Sequence, residues 1–284
     1  MINFAEKRRF MYRKKIPFDI DCGVKIAMEV IGGKWKSCII QELDKGPKRP
    51  SELHRYFDDA SPRVINQQLK ELEIHGMIQK KIFSELPPHT EYSITEQGRT
   101  LLPIIEQLEK NEYELKYLNS VLTNIENCES YAEIDDIKEE LISTGYVRKR
   151  KVNGKNKKSN PSKPLHFISS DGIDIFVGKN NIQNDHLSLK FANKNYMWLH
   201  TKNIPGSHVI VCSTDIPDNT LIEAAVLAAH YSKAKESSKV DVDYTLVKNL
   251  KKPNGANPGM VIYHTNYTMT VEPSEINNLN IVRS

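Results

Sequence analysis

Long polar side chains recur with helical spacing in residues 61–75, where they fall on one side of a predicted helix. Arginine and lysine pair with phosphates and guanine, and asparagine and glutamine pair with adenine, when a helix enters a major groove. The other side carries Ile65, Leu69 and Leu72, whose spacing predicts one buried face. Lysines in the next predicted strand could contact phosphates. The candidate DNA-binding residues are therefore Ser61, Arg63, Asn66, Gln67, Lys70, Lys80 and Lys81.

Short loops with lysine and amide side chains form a second candidate interface, in residues 179–252. Such loops can contact RNA phosphates, and Trp198, Tyr231 and Tyr244 offer stacking surfaces for bases. The alternative for Trp198 and Tyr244 is a place in the core, since both fall in apolar predicted strands. The candidate RNA-binding residues are Lys179, Asn180, Asn181, Lys202, Ser207, His208, Lys248, Lys251 and Lys252.

Signatures of catalysis and metal binding are missing from the sequence. No GxSxG, HExxH or phosphate-loop pattern occurs, and Ser207 and His208 are sequence neighbours, a poor arrangement for a nucleophile and its base. The histidines lack tight ligand spacing, and the four cysteines form no CxxC pair. We therefore expect a protein that is not an enzyme and that holds no metal and no cofactor.

The net charge of +4 over 284 residues is a sum of oppositely charged segments. Residues 1–17 carry +5 and residues 146–163 carry +8, whereas residues 111–145 carry −7. Basic blocks beside folded units favour nucleic-acid partners, and solvated tails or linkers are the alternative. No apolar run approaches the roughly 18 residues of a membrane-spanning helix, so we expect a cytoplasmic protein without membrane contact.

Residues 24–95 are predicted to form three or four helices and then a hairpin. Gly32 and Gly33 separate the first two helices, Ser51 is the predicted cap of a short third one, and Ser61 followed by Pro62 is typical of a helix start. Two alternating strands, 78–83 and 91–94, follow the last helix. This order is typical of a winged helix-turn-helix.

The same region resembles the HxlR family of bacterial winged-helix transcription regulators. The resemblance implies a homodimer that binds a pseudo-palindromic operator in double-stranded DNA, with the helix 61–75 in the groove and the hairpin as wing. Some of these regulators use a cysteine as a redox sensor, which maps onto Cys22; an ordinary buried cysteine is the alternative. Gly23 stands where the family usually has proline. The matching stretches are CGVKIAMEVIGGKWKSCIIQEL, RPSELHRYF, SPRVINQQLKELEIHGMIQKK and PPHTEYSITEQGRTLLPI.

Residues 164–271 are predicted to be a compact α+β domain. Asp171 and Gly172 between two apolar runs indicate a hairpin over 165–177. A helix near 184–192, strands at 197–199 and 208–212, a helix at 219–234 and strands at 244–247, 260–263 and 267–271 are predicted to follow.

This domain resembles the NFACT-R domain of bacterial fibronectin-binding-protein-A-like factors, which act in ribosome-associated quality control. The resemblance implies contact with the large ribosomal subunit or tRNA, and it covers only the end of such a factor. The matching stretches are DGIDIFVGKNNIQNDHLSLKFANKNYMWLHTKNIPGSHVIV, AAVLAAHYSKAKESSKVDVDYTLVKNLKKPNGANPGMVIY and, as the end of a coiled-coil arm, KYLNSVLTNIENCESYAEIDDIKEELISTGYV.

A heptad pattern continues across the junction of the two regions, which predicts one long helix over residues 98–127 with a coiled-coil seam. Asn111 falls at an inward position and would favour one register and oligomeric state. A helix that folds back near Asn111 is the alternative. One set of heptad positions holds Leu101, Leu108, Leu115 and Leu122, and the other holds Ile104, Asn111, Leu118 and Ile125.

The predicted fold class is multidomain: an α-rich winged helix-turn-helix, a long helix and an α+β domain. We expect an HxlR-type DNA-binding regulator joined to an RNA- or ribosome-binding module. The alternative is a fragment of a ribosome-associated quality-control factor in which the winged helix is only an adaptor, or in which the join is accidental. The predicted segments are a basic arm (1–17), the winged helix (18–97), the helical segment (98–145), a basic linker (146–163) and the NFACT-R-like domain (164–284).

Overall fold

The computed structural model describes residues 23–84, 86–149 and 161–283. The chain divides into two compact units, Met1–Asn111 and Glu112–Ser284. The boundary between them falls within one helix, Leu102–Glu126. The predicted fold class is confirmed: helices and a hairpin come first, a long helix follows, and a sheet-containing α+β domain comes last.

The first unit is a helix-turn-helix with a wing. Its core is formed by apolar side chains from most of its helices and from the hairpin, among them Ile39, Leu53 and Leu69, none of which has measurable exposure. Residues Ile78–Phe83 and His89–Ile94 pair as an antiparallel hairpin. The elements are α1 (Gly23–Ile31), α2 (Lys36–Asp44), α3 (Pro50–Tyr56), α4 (Pro62–Ile74), β1 (Ile78–Phe83), β2 (His89–Ile94), α5 (Glu96–Arg99) and the start of α6 (Leu102–Glu126).

One predicted helix cap differs from the structure, and the other is confirmed in position. Ser51 does not cap α3, because the helix begins one residue earlier at Pro50 and Arg49 is its N-cap, with the Glu52 carboxylate accepting from the Arg49 amide. Ser61 occupies the N-cap position of α4, but its hydroxyl makes no capping hydrogen bond. Pro62 holds the first helical position, as predicted, because its fixed φ suits a helix start.

The second unit combines a helical hairpin with a seven-stranded antiparallel sheet. The strand order is β8-β7-β5-β6-β4-β3-β9. The elements are the rest of α6, α7 (Tyr131–Ser143), β3 (Leu165–Ile168), β4 (Asp174–Val177), α8 (Asn181–His186), a π-helical turn (Leu187–Phe191), β5 (Met197–Thr201), β6 (Val209–Val211), α9 (Asp218–His230), β7 (Val240–Leu246), a 3₁₀ turn (Val247–Asn249), β8 (Tyr267–Val271), a 3₁₀ turn (Pro273–Asn278) and β9 (Val282–Arg283).

The two faces of this sheet are covered differently. The alanine-rich helix α9 packs on one face, where small side chains such as Ala224 and Ala228 allow close approach to Val209 and Val242. Leu187 and residues of the 247–250 segment cover part of the other face, where they pack on Trp198 and Ile210. Alternate residues of each strand therefore enter different cores.

Two predictions for this unit were wrong. Residues 260–263 do not form a strand and make only an isolated bridge between Ile262 and Lys251. The helix predicted near 184–192 starts earlier, at Asn181, because Asn180 caps it by accepting from the Gln183 amide at 2.9 Å. Its second half is the π-helical turn.

Candidate nucleic-acid interfaces

Helix α4 presents the predicted polar face to solvent. Ile65, Leu69 and Leu72 are fully buried, which fixes the rotation of the helix about its axis. Arg63, Asn66, Gln67 and Lys70, together with Ser61 at the N-cap, are exposed. The helix ends at Ile74, and Gly76 follows with φ +75°, a conformation that glycine adopts without a Cβ penalty.

Two side chains on this face are held by neighbours on the protein. Asn66 Oδ1 lies 3.0 Å from Nε2 of His54 on α3, and Gln67 Nε2 donates to Glu71 at 2.9 Å. Glu71 also pairs with the buried Lys36, and although burial opposes ionisation, Lys36 and Gln67 lower the pKa of Glu71. If the Gln67 amide donates to a base, it gives up its hydrogen bond to Glu71 and gains one to the base.

The predicted wing lysines lie on β1. In the hairpin register Lys80 faces Tyr92 and Lys81 faces Glu91. Both lysines are exposed, and the Lys81 amine lies 4.6 Å from the ring centre of Phe83. The strand that follows α4 thus carries exposed lysines, and lysines are side chains that contact DNA phosphates.

Two of the described cysteines have thiols with raised pKa values. Burial raises the pKa of Cys128, and burial with nearby Asp174 raises the pKa of Cys212 to about 11. Cys38 is half buried against the core of the first unit. Cys22, the predicted redox sensor, lies outside the described residues, so that role stays a prediction.

Four of the predicted RNA-binding residues have buried side chains. The prediction that they lie on exposed loops was wrong. Asn180, Asn181, Ser207 and His208 are each at most 3% exposed. His208 Nδ1 lies 2.7 Å from Ser188 Oγ, and burial, with His200 nearby, holds the pKa of His208 well below its usual range. A neutral, buried imidazole provides no charge for a phosphate. Polar side chains were predicted as surface here because sequence patterning does not reveal internal hydrogen-bond networks.

Three predicted lysines are engaged with carboxylates. Lys179 pairs with Glu133 at 2.5 Å, and Lys252 pairs with Asp185 at 2.7 Å. Lys202 Nζ lies 3.7 Å from Asp243 and donates to Thr268. These pairs neutralise the lysines locally, whereas Lys248 and Lys251 are exposed.

Glu133 and Glu140 link helix α7 to the segment around α8. Lys179, together with the Glu129 amide, lowers the pKa of Glu133 although burial opposes this. The fully buried Glu140 accepts hydrogen bonds from Tyr117 at 2.8 Å and Asn181 at 2.9 Å, yet its burial raises its pKa overall. Lys179 and Asn181 are therefore structural residues of this docking contact.

A cationic patch that the sequence did not single out lies at the π-helical turn. The Lys248 amide donates to the Lys194 carbonyl at 2.9 Å, which places the 194 and 248 loops side by side. Lys190 lies in the last turn before the 194 loop. All three lysines are exposed, and among the described residues no carboxylate lies within 4 Å of their amines. We name Lys190, Lys194 and Lys248 the cationic patch. Only Lys248 was predicted, because Lys190 and Lys194 lie more than 50 residues before it in the sequence.

The predicted stacking residues are buried or half buried. Trp198 is 1% exposed and lies in the core, so the core alternative is confirmed for it. Tyr231 is half buried near Phe167, and Tyr244 is half buried beside Tyr267, whose ring centre is 5.6 Å away. Searching the described ranges for three or more histidine, cysteine or acidic residues that could hold a metal ion identifies no such group. In the same ranges no helix is both long and apolar enough to cross a membrane.

These features define the class: a helix-turn-helix domain and an α+β domain, each with exposed residues suited to nucleic acids. The model of the "HxlR-like helix-turn-helix" family matches residues 30–120. The "NFACT protein RNA binding domain" matches residues 163–265, and the "NFACT N-terminal and middle domains" match residues 99–160. The N-terminal part therefore belongs to the HxlR-like helix-turn-helix family, and the C-terminal part carries matches to NFACT domains.

Two kinds of relatives match the chain. The "Uncharacterized HTH-type transcriptional regulator YkvN" of Bacillus subtilis is 44% identical over 87 residues, which is 31% of this chain and 74% of that protein. The "Rqc2 homolog RqcH" of Bacillus subtilis is 35% identical over 243 residues, which is 85% of this chain and 40% of that protein. The chain thus spans about two fifths of the length of that RqcH.

A solved structure is similar over most of the chain. It is the C-terminal part of the fibronectin/fibrinogen-binding protein from Streptococcus suis, with a TM-score of 0.59 and 32% identity. The match covers 89% of this chain and 94% of that one.

Proposed function

We propose that this protein binds nucleic acids through both units, and that its main activity is binding of RNA, as part of the large ribosomal subunit or tRNA, by the C-terminal unit. The cationic patch is the observation that carries the proposal. Three exposed ammonium groups without carboxylate partners among the described residues give a local positive field although the domain is nearly neutral. The match to an RNA-binding domain model and the similarity to RqcH support the same assignment.

Co-sedimentation with purified large ribosomal subunits at graded salt tests this function. Replacing Lys190, Lys194 and Lys248 by alanine should remove most binding at about 150 mM salt, since phosphate contacts dominate RNA affinity. A control variant with the same charge loss replaces three other exposed lysines and should bind as the parent protein does. Equal binding by both variants would refute the role of the patch. The control positions are Lys163, Lys233 and Lys239.

The second function is sequence-specific binding of duplex DNA by α4 and the wing. The exposed polar face opposite Ile65, Leu69 and Leu72 supports it, as does the similarity to HTH-type regulators. Footprinting on the DNA upstream of the protein's own gene tests it. Protection of a pseudo-palindromic site supports a role as a DNA-binding regulator. RNA binding without protection of any duplex DNA supports the alternative in which the winged helix is only an adaptor.

The DNA-binding form is a homodimer in this proposal. Helix α6 spans Leu102–Glu126 and so includes most of the predicted heptad positions. It exposes apolar side chains at both sets of heptad positions, for example Leu115 at 60% and Leu118 at 41%. Such a seam suits knobs-into-holes packing with a second copy. We further propose that the protein has no enzymatic activity of its own and works without a cofactor.

A further inference from the structure

A row of aromatic rings lies on the sheet beside the cationic patch. The rings of His166 and Phe176 are stacked with centres 4.5 Å apart and an angle of 6° between their planes. Phe176 meets Phe191 edge to face at 5.0 Å, and Phe191 lies 6.5 Å from His186. We name these four residues the aromatic row.

The topology explains why these rings remain accessible. Side chains alternate along β3 and β4, so Leu165, Ile175 and Val177 are buried in the core beneath α9, while His166 and Phe176 point to the opposite face. On that face Phe191 is 46% exposed and His186 is also exposed, whereas His166 and Phe176 are half buried. An exposed phenylalanine in contact with other rings forms a small apolar surface that a partner can cover.

The charges around the row favour a polyanion with flat apolar groups. Lys190 directly precedes Phe191, and Lys194 and Lys248 lie on the adjoining loops. Asp174, the acidic residue at the other end, lies 2.7 Å from His166 Nε2 and is engaged with it. Exposed aromatic rings next to ammonium groups suit the bases and phosphates of a nucleic acid.

We propose that the aromatic row is a stacking platform for the bases of single-stranded RNA, whose phosphates contact the cationic patch. This inference rests on the proposed RNA-binding function and specifies it. Phe191 is the central contact, because it is exposed and joins the two stacked pairs. A double helix, whose bases are already stacked on each other, binds this surface only through its phosphates.

Fluorescence anisotropy with a labelled single-stranded RNA of about 12 nucleotides tests the platform. Phe191→Ala should weaken binding by about 5- to 100-fold, the usual effect of removing one stacking ring, with the dependence on salt unchanged. Phe191→Leu keeps an apolar side chain for packing and should show a similar loss. Lys248→Ala should instead lower the slope of log K against log salt by about 0.7. Tyr267→Ala, which removes a 70% exposed tyrosine at the other end of the sheet, is the matched control and should have no effect.

The outcomes separate the inference from the function on which it depends. If the parent protein binds no RNA, the proposed function fails. If the parent protein binds and the lysine variants weaken it while both Phe191 variants bind normally, RNA binding stands and the stacking platform is refuted. Equal losses for Tyr267→Ala and Phe191→Ala would also refute it. Thermal melts of each variant confirm that the domain is folded.

Discussion

Tyr117→Phe removes one hydroxyl from the buried contact between α6 and α7. That hydroxyl donates to Glu140 Oε1 at 2.8 Å, and neither side chain has measurable exposure. Leaving a buried carboxylate short of one donor costs about 1–3 kcal/mol. For a unit as large as Glu112–Ser284, this lowers the midpoint of thermal unfolding by about 2–12 °C. Tyr131→Phe, at a side chain that is 90% exposed, should leave the midpoint unchanged.

The loss should also depend on pH. Burial raises the pKa of Glu140 above its ordinary value of 4.5, so the folded protein binds this proton more tightly than the unfolded chain does. Stability therefore falls as the pH rises from 4.5 through the raised pKa, and the Tyr117 hydroxyl limits this fall by favouring the ionised form. Tyr117→Phe should consequently cost more at pH 8 than at pH 4.5.

The two tryptophans make the assay specific. Trp35 belongs to the first unit and Trp198 to the second, so in a Trp35→Phe background the fluorescence reports unfolding of the second unit alone. Guanidinium and thermal melts at several pH values then give the free energy of unfolding of each variant. A Tyr117→Phe protein as stable as its parent at pH 8, or equally destabilised at both pH values, would refute the assigned hydrogen bond.

Three further predictions concern the first unit and α6. Alanine at Asn66 and Gln67 should relax operator preference by about 1–3 kcal/mol per lost base contact, measured by competition between DNA sequences; unchanged preference would exclude α4 as the reading helix. Lys80→Ala should weaken binding to all DNA sequences alike. Titrations at several salt concentrations should show the slope of log K against log salt reduced in magnitude by about 0.9. Asn111→Leu should raise the melting temperature and loosen oligomer specificity, as judged by light scattering. An unchanged melting temperature together with a monomeric mass would refute the coiled-coil dimer.

The fold was readable from the sequence where periodicity and turn residues agree. The 78–83 strand, the hairpin around Gly172 and the start of α4 at Pro62 all follow from local rules. The interface on the α+β domain was not readable in the same way. Lys179 and Lys252 look like surface cations in sequence, but carboxylates distant along the chain, Glu133 and Asp185, pair with them only in the folded domain.

The same long-range pairing explains what was missed. Lys194 and Lys248 meet only because two loops hydrogen-bond across the fold, and the exposed Phe191 is the last residue of a π-helical turn. The sequence predicts a helix here but does not distinguish a π-helical turn from an α-helix. By contrast, the burial of Ile65, Leu69 and Leu72 followed from their spacing, so the face of α4 could be predicted.

The contacts of Glu133 and Glu140 attach helix α7 to the stretch that leads to the aromatic row. Asn181, which donates to Glu140, is the first residue of α8, and the same stretch of helix continues to Phe191 at its far end. The stretch that carries Phe191 is therefore anchored at its first residue to a buried carboxylate of the helical hairpin. The aromatic row thus lies at one end of a helical stretch whose other end is fixed to α7.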